Sequence, residues 1–200
     1  MQIYLVRHTT PDIWHDTCYG RQDIGLAATF EQEASVVLDK LLRDQSPTPP
    51  SAQPSLNISN VFCSPLQRCR RLATALTALA ATVDDRLMEI DFGSWEMRRW
   101  DDIPPVEMTA WERNPLQFAP PNGETATEVA TRSQSFVDDV LKLSPDATVL
   151  VVTHGGPIHM IVAALLQVPL FVALRFHVDY ASVSRIEVRT DQTKLTLLNR

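Results

Sequence analysis

The sequence contains few cysteines, and their positions predict neither a disulfide framework nor a zinc site. Cys18, Cys63 and Cys69 are odd in number, and no two of them have the C-x2-C spacing of zinc ligands. We therefore expect a reducing compartment and no structural metal. The chain also lacks the basic and apolar segments of a signal peptide, and it has no run of about 18 apolar residues that could span a membrane. These absences predict a cytoplasmic protein without a membrane partner.

Basic residues are fewer than acidic ones. The 18 lysines and arginines and the 24 aspartates and glutamates give a formal net charge of −6 at pH 7. Nucleic-acid binding that is independent of base sequence depends on lysine and arginine contacts to phosphate, so we expect no nucleic-acid partner for this acidic chain. An anionic substrate would have to be bound by a local group of basic side chains. Arginines near a candidate site are therefore informative.

No internal repeat and no low-complexity tract divides the chain, and its 200 residues are a typical length for one domain. We predict a single domain over residues 1–200. Apolar runs at residues 3–6 and 149–152 do not alternate with polar residues, which is typical of strands buried on both faces in a parallel sheet. Residues 61–63 form a weaker third candidate for such a strand.

Helical patterns lie between these strands. Thr125 and Glu128 have the spacing of a capping box, and Pro157 is the residue type favoured at the first position of a helix. The patterns predict helices over residues 30–42, 66–81, 125–143 and 157–166. Strands that alternate with helices predict a three-layer αβα sandwich with a mostly parallel central sheet. Residues 183–188 and 195–198 predict a hairpin at the end of the chain.

Two proline-rich segments interrupt this pattern. The first, residues 45–59, contains four prolines and is predicted to be a surface loop. The second, residues 97–123, combines prolines with Trp111 and Phe118, and such large aromatic side chains are rare in plain linkers. We predict that this second segment is a lid or a substrate-binding region. Trp111 could either stack on a substrate or anchor the segment to the core.

Two histidines directly follow the two buried strands. Arg7 and His8 follow the first strand, and His154, Gly155 and Gly156 follow the second. Ligands of open α/β sheets bind at the carboxyl ends of the strands, so the two imidazoles are expected to face each other across a cleft. The glycines allow a ligand to approach the backbone, and the first N–H groups of the next helix would form an anion site.

A third strand end carries an arginine. Ser64 is a favourable N-cap residue, Pro65 fits the first helical position, and Gln67 completes a capping box. Arg68 would then lie in the first turn of a helix, where its guanidinium suits bidentate binding of phosphate. A lone histidine or arginine at such a position is more often structural. The convergence of three strand ends on these residue types favours a phosphate site.

Several segments resemble motifs of the histidine phosphatase superfamily, which includes cofactor-dependent phosphoglycerate mutases. They are residues 5–8, 63–68, 86–96, 121–125 and 152–156, in the order of the family. The resemblance implies a phosphoglycerate mutase-like fold and a metal-independent phosphatase that needs no cofactor and acts on a small phosphate monoester. The opening R-H-T-T-P at residues 7–11, with residues 18–20 and Asp23, is most similar to the branch that contains α-ribazole phosphatases of cobalamin biosynthesis.

The resemblance also implies roles for individual residues. His8 would be the nucleophile that becomes a phosphohistidine, and Glu89 would be the proton donor for the leaving group. Arg7, Arg68 and His154 would hold the phosphate and neutralise the charge of the transition state. Further phosphate or substrate contacts are expected from Gly155, Tyr19, Gly20 and Trp111.

Two positions depart from the opening motif of the family. Thr9 stands where the family has glycine, and Trp14 stands where it has an asparagine that contacts the phosphate. The four central phosphate contacts are retained. Whether Thr9 and Trp14 replace the outer contacts is open at the level of the sequence.

Alternative chemistry is also open at this level. Cys63 and Arg68 have C-x4-R spacing, which differs from the glycine-rich C-x5-R loop of cysteine-dependent phosphatases. Asp91 or Glu96 could share the acid role of Glu89.

Two alternative functions are phosphoglycerate mutase-type phosphoryl transfer and a non-catalytic, phosphate-binding role. Hydrolysis is favoured because the second proline-rich segment is short for excluding water from a phosphoenzyme. A homodimer is compatible with the sequence.

Overall fold

A mixed sheet of six strands lies at the centre of the computed structural model, which describes residues 1–45 and 56–200. In chain order the strands are β1 (Gln2–Arg7), β2 (Asn60–Cys63), β3 (Thr82–Val83), β4 (Thr148–Thr153), β5 (Val183–Val188) and β6 (Thr193–Leu197). Across the sheet their order is β3-β2-β4-β1-β5-β6. The strands from β3 to β1 are parallel, whereas β5 and β6 are antiparallel to their neighbours. The predicted α/β fold with a mostly parallel sheet is confirmed, as is the hairpin at the end of the chain.

Helices cover both faces of this sheet. They are α1 (Phe30–Gln45), α2 (Gln67–Leu76), α3 (Pro105–Arg113), α4 (Ala126–Val140), α5 (Gly155–Leu166) and α6 (Leu170–Ala173). Short 3₁₀ turns lie at Asp85–Leu87, Gly93–Trp95 and Trp100–Asp102. Helices α1 and α2 form one hydrophobic core with the sheet, and α4 and α5 form a second core on its opposite face.

Alternate residues of β1 belong to these two different cores. Tyr4 and Val6 pack beneath α1 and α2, whereas Ile3 and Leu5 pack beneath α4 and α5. All four side chains are at most 2% exposed. Successive side chains of a strand point to opposite faces of the sheet, so a strand that is covered on both sides needs an unbroken apolar run. This is the physical reason why the runs in the sequence correctly predicted buried parallel strands.

Helix α2 does not have the predicted cap of Ser64 and Pro65. The helix begins later, at Gln67, and it is shorter than the predicted range of residues 66–81. The backbone N–H of Gln67 donates to the Asp23 carboxylate at 2.7 Å, and the Gln67 side chain donates to the Asp23 carbonyl at 2.9 Å. A residue from a distant segment therefore replaces the local capping box.

Helix α5 begins earlier than predicted. Its first residue is Gly155 and its N-cap is His154, so Pro157 occupies the third helical position instead of the first. The capping box of α4 is confirmed, because Thr125 and Glu128 form both of its hydrogen bonds. Helices α1 and α4 differ from the predicted helices mainly at their C-terminal ends.

The predicted lid segment, residues 97–123, contains α3 and a 3₁₀ turn. Its aromatic side chains pack beside the buried Trp95, with Trp111 edge-on at 6.1 Å between ring centroids and Phe118 tilted at 5.8 Å. Trp100 stacks on Trp111 at 6.1 Å. This aromatic cluster holds the segment against the rest of the protein.

The proline-rich loop that was predicted over residues 45–59 falls largely outside the described part of the chain. Gln45 is the last residue of α1, and the description resumes at Leu56. Ile58 then packs into the core beneath α1 and α2, directly before β2.

Candidate active site

Neighbouring strands end at one edge of the sheet and bring the two predicted histidines together. β4 lies between β1 and β2 and is parallel to both, so the carboxyl ends of the three strands coincide. The backbone N–H of His8 donates to the carbonyl of Thr153 at 2.9 Å, which places His8 beside His154. The two imidazole rings are fully buried, and their centroids are 5.0 Å apart.

The Nε2 atom of His8 is free for chemistry. The Nδ1 atom lies 2.7 Å from the carbonyl oxygen of Thr9, and because a carbonyl only accepts hydrogen bonds, Nδ1 carries the proton. Nε2 keeps a lone pair and has no hydrogen-bond partner among the described residues. Burial and the nearby Arg68 and Arg7 hold the pKa of His8 well below its ordinary value of 6.5, so the ring is neutral at neutral pH. A neutral imidazole with a free Nε2 can attack phosphorus.

Two arginines near this ring are held by backbone carbonyls. Arg7 donates to the carbonyl of Val178 at 2.6 Å. The fully buried Arg68 donates to the carbonyl of Gln22 at 2.6 Å and to that of Gly20 at 2.7 Å. In the part of the protein that the structure describes, the buried Nε atom of each arginine has no partner. Leaving a buried donor unpaired costs free energy, and a bound oxyanion would satisfy both donors.

His154 is oriented by a residue that we predicted to be a helix cap. Its Nε2 atom lies 2.8 Å from the Ser64 hydroxyl and 3.5 Å from the Cys69 sulfur. Burial and the neighbouring His8 hold the pKa of His154 well below its ordinary value, so this ring is also neutral at neutral pH. A neutral imidazole retains one N–H donor and can bind an oxyanion without adding positive charge.

The carboxylate of Glu89 lies at the N-terminus of α5. It accepts from the backbone N–H of Gly156 at 3.1 Å and from that of Ile90 at 3.0 Å. Gly156 permits this contact, because a Cβ atom at this position would lie 2.3 Å from Glu89 Oε1. Helix N-termini attract negative charge. At the N-terminus of this helix, where we predicted an anion site, the N–H of Gly156 is therefore used by a carboxylate of the protein itself.

A cavity of about 200 Å³ opens beside Glu89 and Gly156. Its remaining lining is apolar or aromatic and consists of Ile90, Phe92, Trp111, Pro115, Ala126, Val129, Met160 and Leu174. None of these lining residues is a lysine, arginine or histidine. The cavity can therefore hold an uncharged, largely apolar group. Trp111 both anchors its own segment and lines this cavity, so the two interpretations of this residue are compatible.

Asp91 and Glu96, the other candidates for the proton donor, accept hydrogen bonds from backbone N–H groups. Oε1 of Glu96 accepts from the backbone N–H of Arg21 at 2.8 Å, and Oδ1 of Asp91 accepts from that of Gly93 at 2.8 Å. Neither side chain lines the cavity, whereas that of Glu89 does. The geometry therefore favours Glu89 as the acid.

The backbone carbonyl of Glu89 is held by two arginines that no sequence pattern indicated. Arg21 donates to it from Nε at 3.2 Å, and Arg132 donates to it from Nη2 at 3.0 Å. Both guanidinium groups also bind the Glu124 carboxylate, at 3.1 Å and 3.0 Å. Glu124 lies in the family-like segment over residues 121–125, which is the single signal in the sequence for this network.

We expect Glu124→Gln to lower the phosphorylation rate with alkyl phosphates by about 10- to 100-fold, because a small displacement of Glu89 would misplace the predicted proton donor. The loss should be smaller with a nitrophenyl phosphate, whose leaving group needs no proton. Single-turnover rates with both esters test this. Asp139→Asn removes a carboxylate from an ion pair with Arg86 and is the matched control, which should leave both rates unchanged. Equal losses for the two esters would contradict an effect through Glu89.

Two of the other residues that we predicted to contact phosphate or substrate lie close to His8 and Arg7, whereas Trp14 is exposed to solvent. The ring centroid of Tyr19 is 6.5 Å from that of His8. Gly155 packs against the guanidinium of Arg7, which a Cβ atom at this position would approach to 3.7 Å. Trp14 is 87% exposed, so its side chain does not take the place of the asparagine that contacts phosphate in the family.

Gly20 and Thr9 are both buried close to the arginines and the nucleophile. Gly20 has a positive φ of 38°, and a Cβ atom there would lie 2.1 Å from Glu96 Oε1, so this position requires glycine. The carbonyl of Gly20 accepts from Arg68, which links the glycine to the site. Oγ1 of Thr9 has no partner among the described residues and remains a candidate for the outer phosphate contact.

Cys63 is not arranged as a nucleophile. It is 1% exposed in the core beneath α1 and α2, and burial raises the pKa of its thiol, which stays protonated at neutral pH. Within residues 1–45 and 56–200, no group of three histidine, cysteine, aspartate or glutamate side chains is placed to hold a metal ion. A metal-independent reaction stays a prediction.

Tyr180 is a further neighbour of His8 that no motif indicated. Its ring centroid is 5.4 Å from that of the imidazole, and its hydroxyl lies 2.7 Å from that of Tyr19. It belongs to the segment before β5, which pairs with β1. Strand pairing brings Tyr180 to the site, and no local pattern in the sequence carries that information.

Comparison with known proteins agrees with this geometry. The family described as "Histidine phosphatase superfamily (branch 1)" matches residues 3–200. The chain is 28% identical over 196 residues to the probable phosphoglycerate mutase GpmB of Erwinia tasmaniensis, covering 94% of this chain and 85% of that protein. The crystal structure of the α-ribazole phosphatase from Shigella flexneri is 25% identical and superposes with a TM-score of 0.85, over 100% of this chain and 96% of the other.

A mycobacterial glucosyl-3-phosphoglycerate phosphatase, Rv2419c, in complex with VO3, is a further similar structure. It is 25% identical and superposes with a TM-score of 0.82, over 99% of this chain and 98% of the other. The match to the family extends over residues 3–200 and includes all three strand ends at which the histidines and arginines meet. This chain therefore belongs to branch 1 of the histidine phosphatase superfamily.

Proposed function

We propose that this protein is a metal-independent phosphomonoesterase that forms a phosphohistidine intermediate on His8. The observation that carries this proposal is a set of buried nitrogen atoms without partners in the described residues, namely Nε2 of His8 and the Nε atoms of Arg7 and Arg68. The first is a nucleophile and the other two are donors. Phosphoryl transfer needs this combination, because it requires an attacking atom and neutralisation of the phosphoryl oxygens.

The proposed reaction has two steps. In the first step, which requires the carboxylic acid form of Glu89, Nε2 of His8 forms a bond to phosphorus and the P–O ester bond breaks, while Glu89 gives its proton to the leaving oxygen and becomes a carboxylate. In the second step, the Glu89 carboxylate takes a proton from water as the water oxygen attacks phosphorus and the P–N bond breaks. The alcohol and inorganic phosphate are released, and His8 and Glu89 return to their initial protonation states.

Arg7, Arg68 and His154 stabilise the transition state in this scheme. The phosphoryl group spreads negative charge over three equatorial oxygens, which the two guanidinium groups and one imidazole N–H can bind. Hydrogen bonds to backbone carbonyls hold both arginines before the substrate arrives. Donors that are already in place need no rearrangement during the reaction, which is the main source of electrostatic catalysis.

We propose a nucleoside-like 5'-phosphate as the substrate, with α-ribazole 5'-phosphate of cobalamin biosynthesis as the leading candidate. The cavity beside Glu89 supports this choice, because Trp111 and Phe92 line it and can offer aromatic faces to a planar base. Stacking of this kind contributes about 1–3 kcal/mol per base. Similarity to the α-ribazole phosphatase of Shigella flexneri also supports the choice.

Phosphoglycerate mutase-type transfer is the second candidate, favoured by similarity to proteins named for that activity. Phosphoglycerate carries a carboxylate, and the lining residues of the cavity include no lysine, arginine or histidine to pair with it. Burial of an unpaired charge is costly. Hydrolysis of an ester with an uncharged leaving group is therefore the better fit. The third candidate is a non-catalytic phosphate-binding role. That role does not explain why Nε2 of His8 is left without a partner in the described residues.

We expect kcat/KM in EDTA to be at least about 10-fold higher for α-ribazole 5'-phosphate than for 3-phosphoglycerate or glucose 6-phosphate, because base stacking adds binding energy. Trp111→Ala should reduce this preference by about 5- to 100-fold while glucose 6-phosphate hydrolysis is nearly unchanged. Trp14→Ala is the matched control, since that side chain is 87% exposed. If the three esters react equally, or if Trp111→Ala has no effect, the substrate assignment fails while the phosphatase assignment stands.

A cytoplasmic location and a homodimer remain predictions from the sequence. In the described residues, none of the helices has both the length and the hydropathy required to cross a membrane.

A further inference from the structure

Two tyrosines link the two arginines of the site through a continuous series of contacts. The guanidinium carbon of Arg7 lies 3.8 Å from the ring centroid of Tyr180. The guanidinium carbon of Arg68 lies 5.2 Å from the ring centroid of Tyr19. The hydroxyls of the two tyrosines hydrogen-bond to each other at 2.7 Å. Each arginine therefore contacts one member of a bonded tyrosine pair.

The tyrosine pair also borders the proposed nucleophile. The ring of Tyr180 is 5.4 Å from that of His8, and the ring of Tyr19 is 6.5 Å from it. Burial raises the pKa of Tyr19, so its hydroxyl stays protonated. Neutral aromatic faces attract guanidinium groups through the ring quadrupole.

Arg7 depends on this contact more than Arg68 does. Arg68 is fully buried and donates to two backbone carbonyls, which fix the plane of its guanidinium. Arg7 donates to one carbonyl, that of Val178, within the described residues. One hydrogen bond constrains the plane of a guanidinium less than two do. The close approach of the Tyr180 ring, at 3.8 Å, adds a second constraint on Arg7.

We propose that Tyr180, braced by Tyr19, is a positioning residue that holds the guanidinium of Arg7 in the orientation that binds the phosphoryl group. The proposal rests on the phosphate-binding part of the proposed function. It deepens that function by assigning a role to a residue that carries no motif. The hydroxyl bond to Tyr19 fixes the ring of Tyr180, and the ring in turn fixes Arg7.

Binding of inorganic phosphate, measured by titration calorimetry, tests this role separately from turnover. We expect Tyr180→Leu to weaken phosphate binding by about 5- to 30-fold, because it removes a desolvated cation–π contact. Tyr180→Phe keeps the ring but loses the hydroxyl bond to Tyr19, so it should restore binding only in part. Tyr4→Phe is the matched control, since the Tyr4 hydroxyl binds Asp44 and no residue of the site. Unchanged binding in Tyr180→Leu would overturn the proposal.

A double-mutant cycle shows whether Tyr180 acts through Arg7. In an Arg7→Lys background, Tyr180→Leu should have little further effect on phosphate binding, because the stacked guanidinium is already absent. In an Arg68→Lys background, the effect of Tyr180→Leu should persist. A full effect of Tyr180→Leu in the Arg7→Lys background would show that the tyrosine acts by another route and would overturn the proposal.

The wild-type protein provides a test that does not depend on the folding of any Tyr180 variant. The Nε–H proton of Arg7, assigned by its disappearance from NMR spectra of Arg7→Lys, should be shifted upfield by the ring current of Tyr180. A resonance at the position of an ordinary arginine would overturn the proposal. Failure of the phosphohistidine to form, with phosphate binding still dependent on Tyr180, would instead contradict the proposed function and leave this inference intact.

Discussion

Replacement of His8 by alanine is expected to abolish turnover, with a loss of at least about 10⁴-fold, because no nucleophile remains to form the phosphoenzyme. The steady-state rate with a phosphate monoester in EDTA measures this loss. In the wild-type protein, brief reaction with a labelled monoester followed by an alkaline quench should leave label on His8. That label should be stable in base and labile in acid.

His15→Ala is the matched control for this experiment, since the His15 side chain is 97% exposed and lies in no predicted motif. It should retain full activity and full labelling. Label on Cys63, or a strict requirement for a divalent metal, would contradict the proposed intermediate. The neutral His8 ring also predicts that labelling continues below pH 6.5, because the nucleophile does not take up a proton until the pH falls well below that value.

Glu89→Gln is expected to slow single-turnover phosphorylation by alkyl phosphates by about 10²–10⁴-fold, because the leaving alkoxide then receives no proton from the protein. Nitrophenyl phosphates have leaving groups that need no proton, so their phosphorylation step should lose much less. A plot of the rate constant against leaving-group pKa should therefore become steeper in the variant. The slope separates a proton donor from a residue that only shapes the cavity.

Glu112→Gln removes an exposed carboxylate from α3, next to Trp111 in the chain, and is the matched control. It should leave both the rates and the slope unchanged. If Glu89→Gln slows alkyl and aryl esters equally, the acid role would move to Asp91 or Glu96. Their present hydrogen bonds to the loop backbone would then have to break during the reaction.

Most of the sheet and helices could be predicted from the sequence, because their determinants lie within a few residues of one another. The unbroken apolar run of β1 follows from burial on both faces, and the capping box of Thr125 and Glu128 is a contact across three residues. All residues that form such a pattern lie in one segment. The pattern can therefore be recognised without knowing how the rest of the chain packs.

The start of two helices could not be predicted, because their partners are far away in the chain. Gln67 at the start of α2 is bound by Asp23, 44 residues earlier. Gly156 in the first turn of α5 is bound by Glu89, 67 residues earlier. The sequence predicted a local cap for α2, formed by Ser64 and Gln67, and only a first residue, Pro157, for α5. At both starts, a carboxylate from another segment satisfies a backbone N–H group of the first turn.

The candidate site was predictable in part. The strand ends with Arg7, His8 and His154 indicated a phosphate site, because the carboxyl ends of parallel strands lie at the same edge of the sheet. Arg132 and Tyr180 could not be found in this way. Arg132 donates to the backbone carbonyl of Glu89, and the ring of Tyr180 contacts the guanidinium of Arg7. Neither contact leaves a pattern in the surrounding sequence.

The sequence by itself determined the layered α/β architecture and the residue types at the strand ends, because apolar periodicity and residue order are local properties of the chain. Only the tertiary structure decided which atoms are left free to react. The carbonyl of Thr9 accepts a hydrogen bond from Nδ1 of His8, and the carbonyls of Val178 and Gly20 accept from Arg7 and Arg68. Among the described residues, the Nε atoms of the two arginines have no partner. The bond to Thr9 joins adjacent residues, but those of the two arginines join distant segments and form only when the chain has folded, so the charge arrangement of the site is a property of the fold.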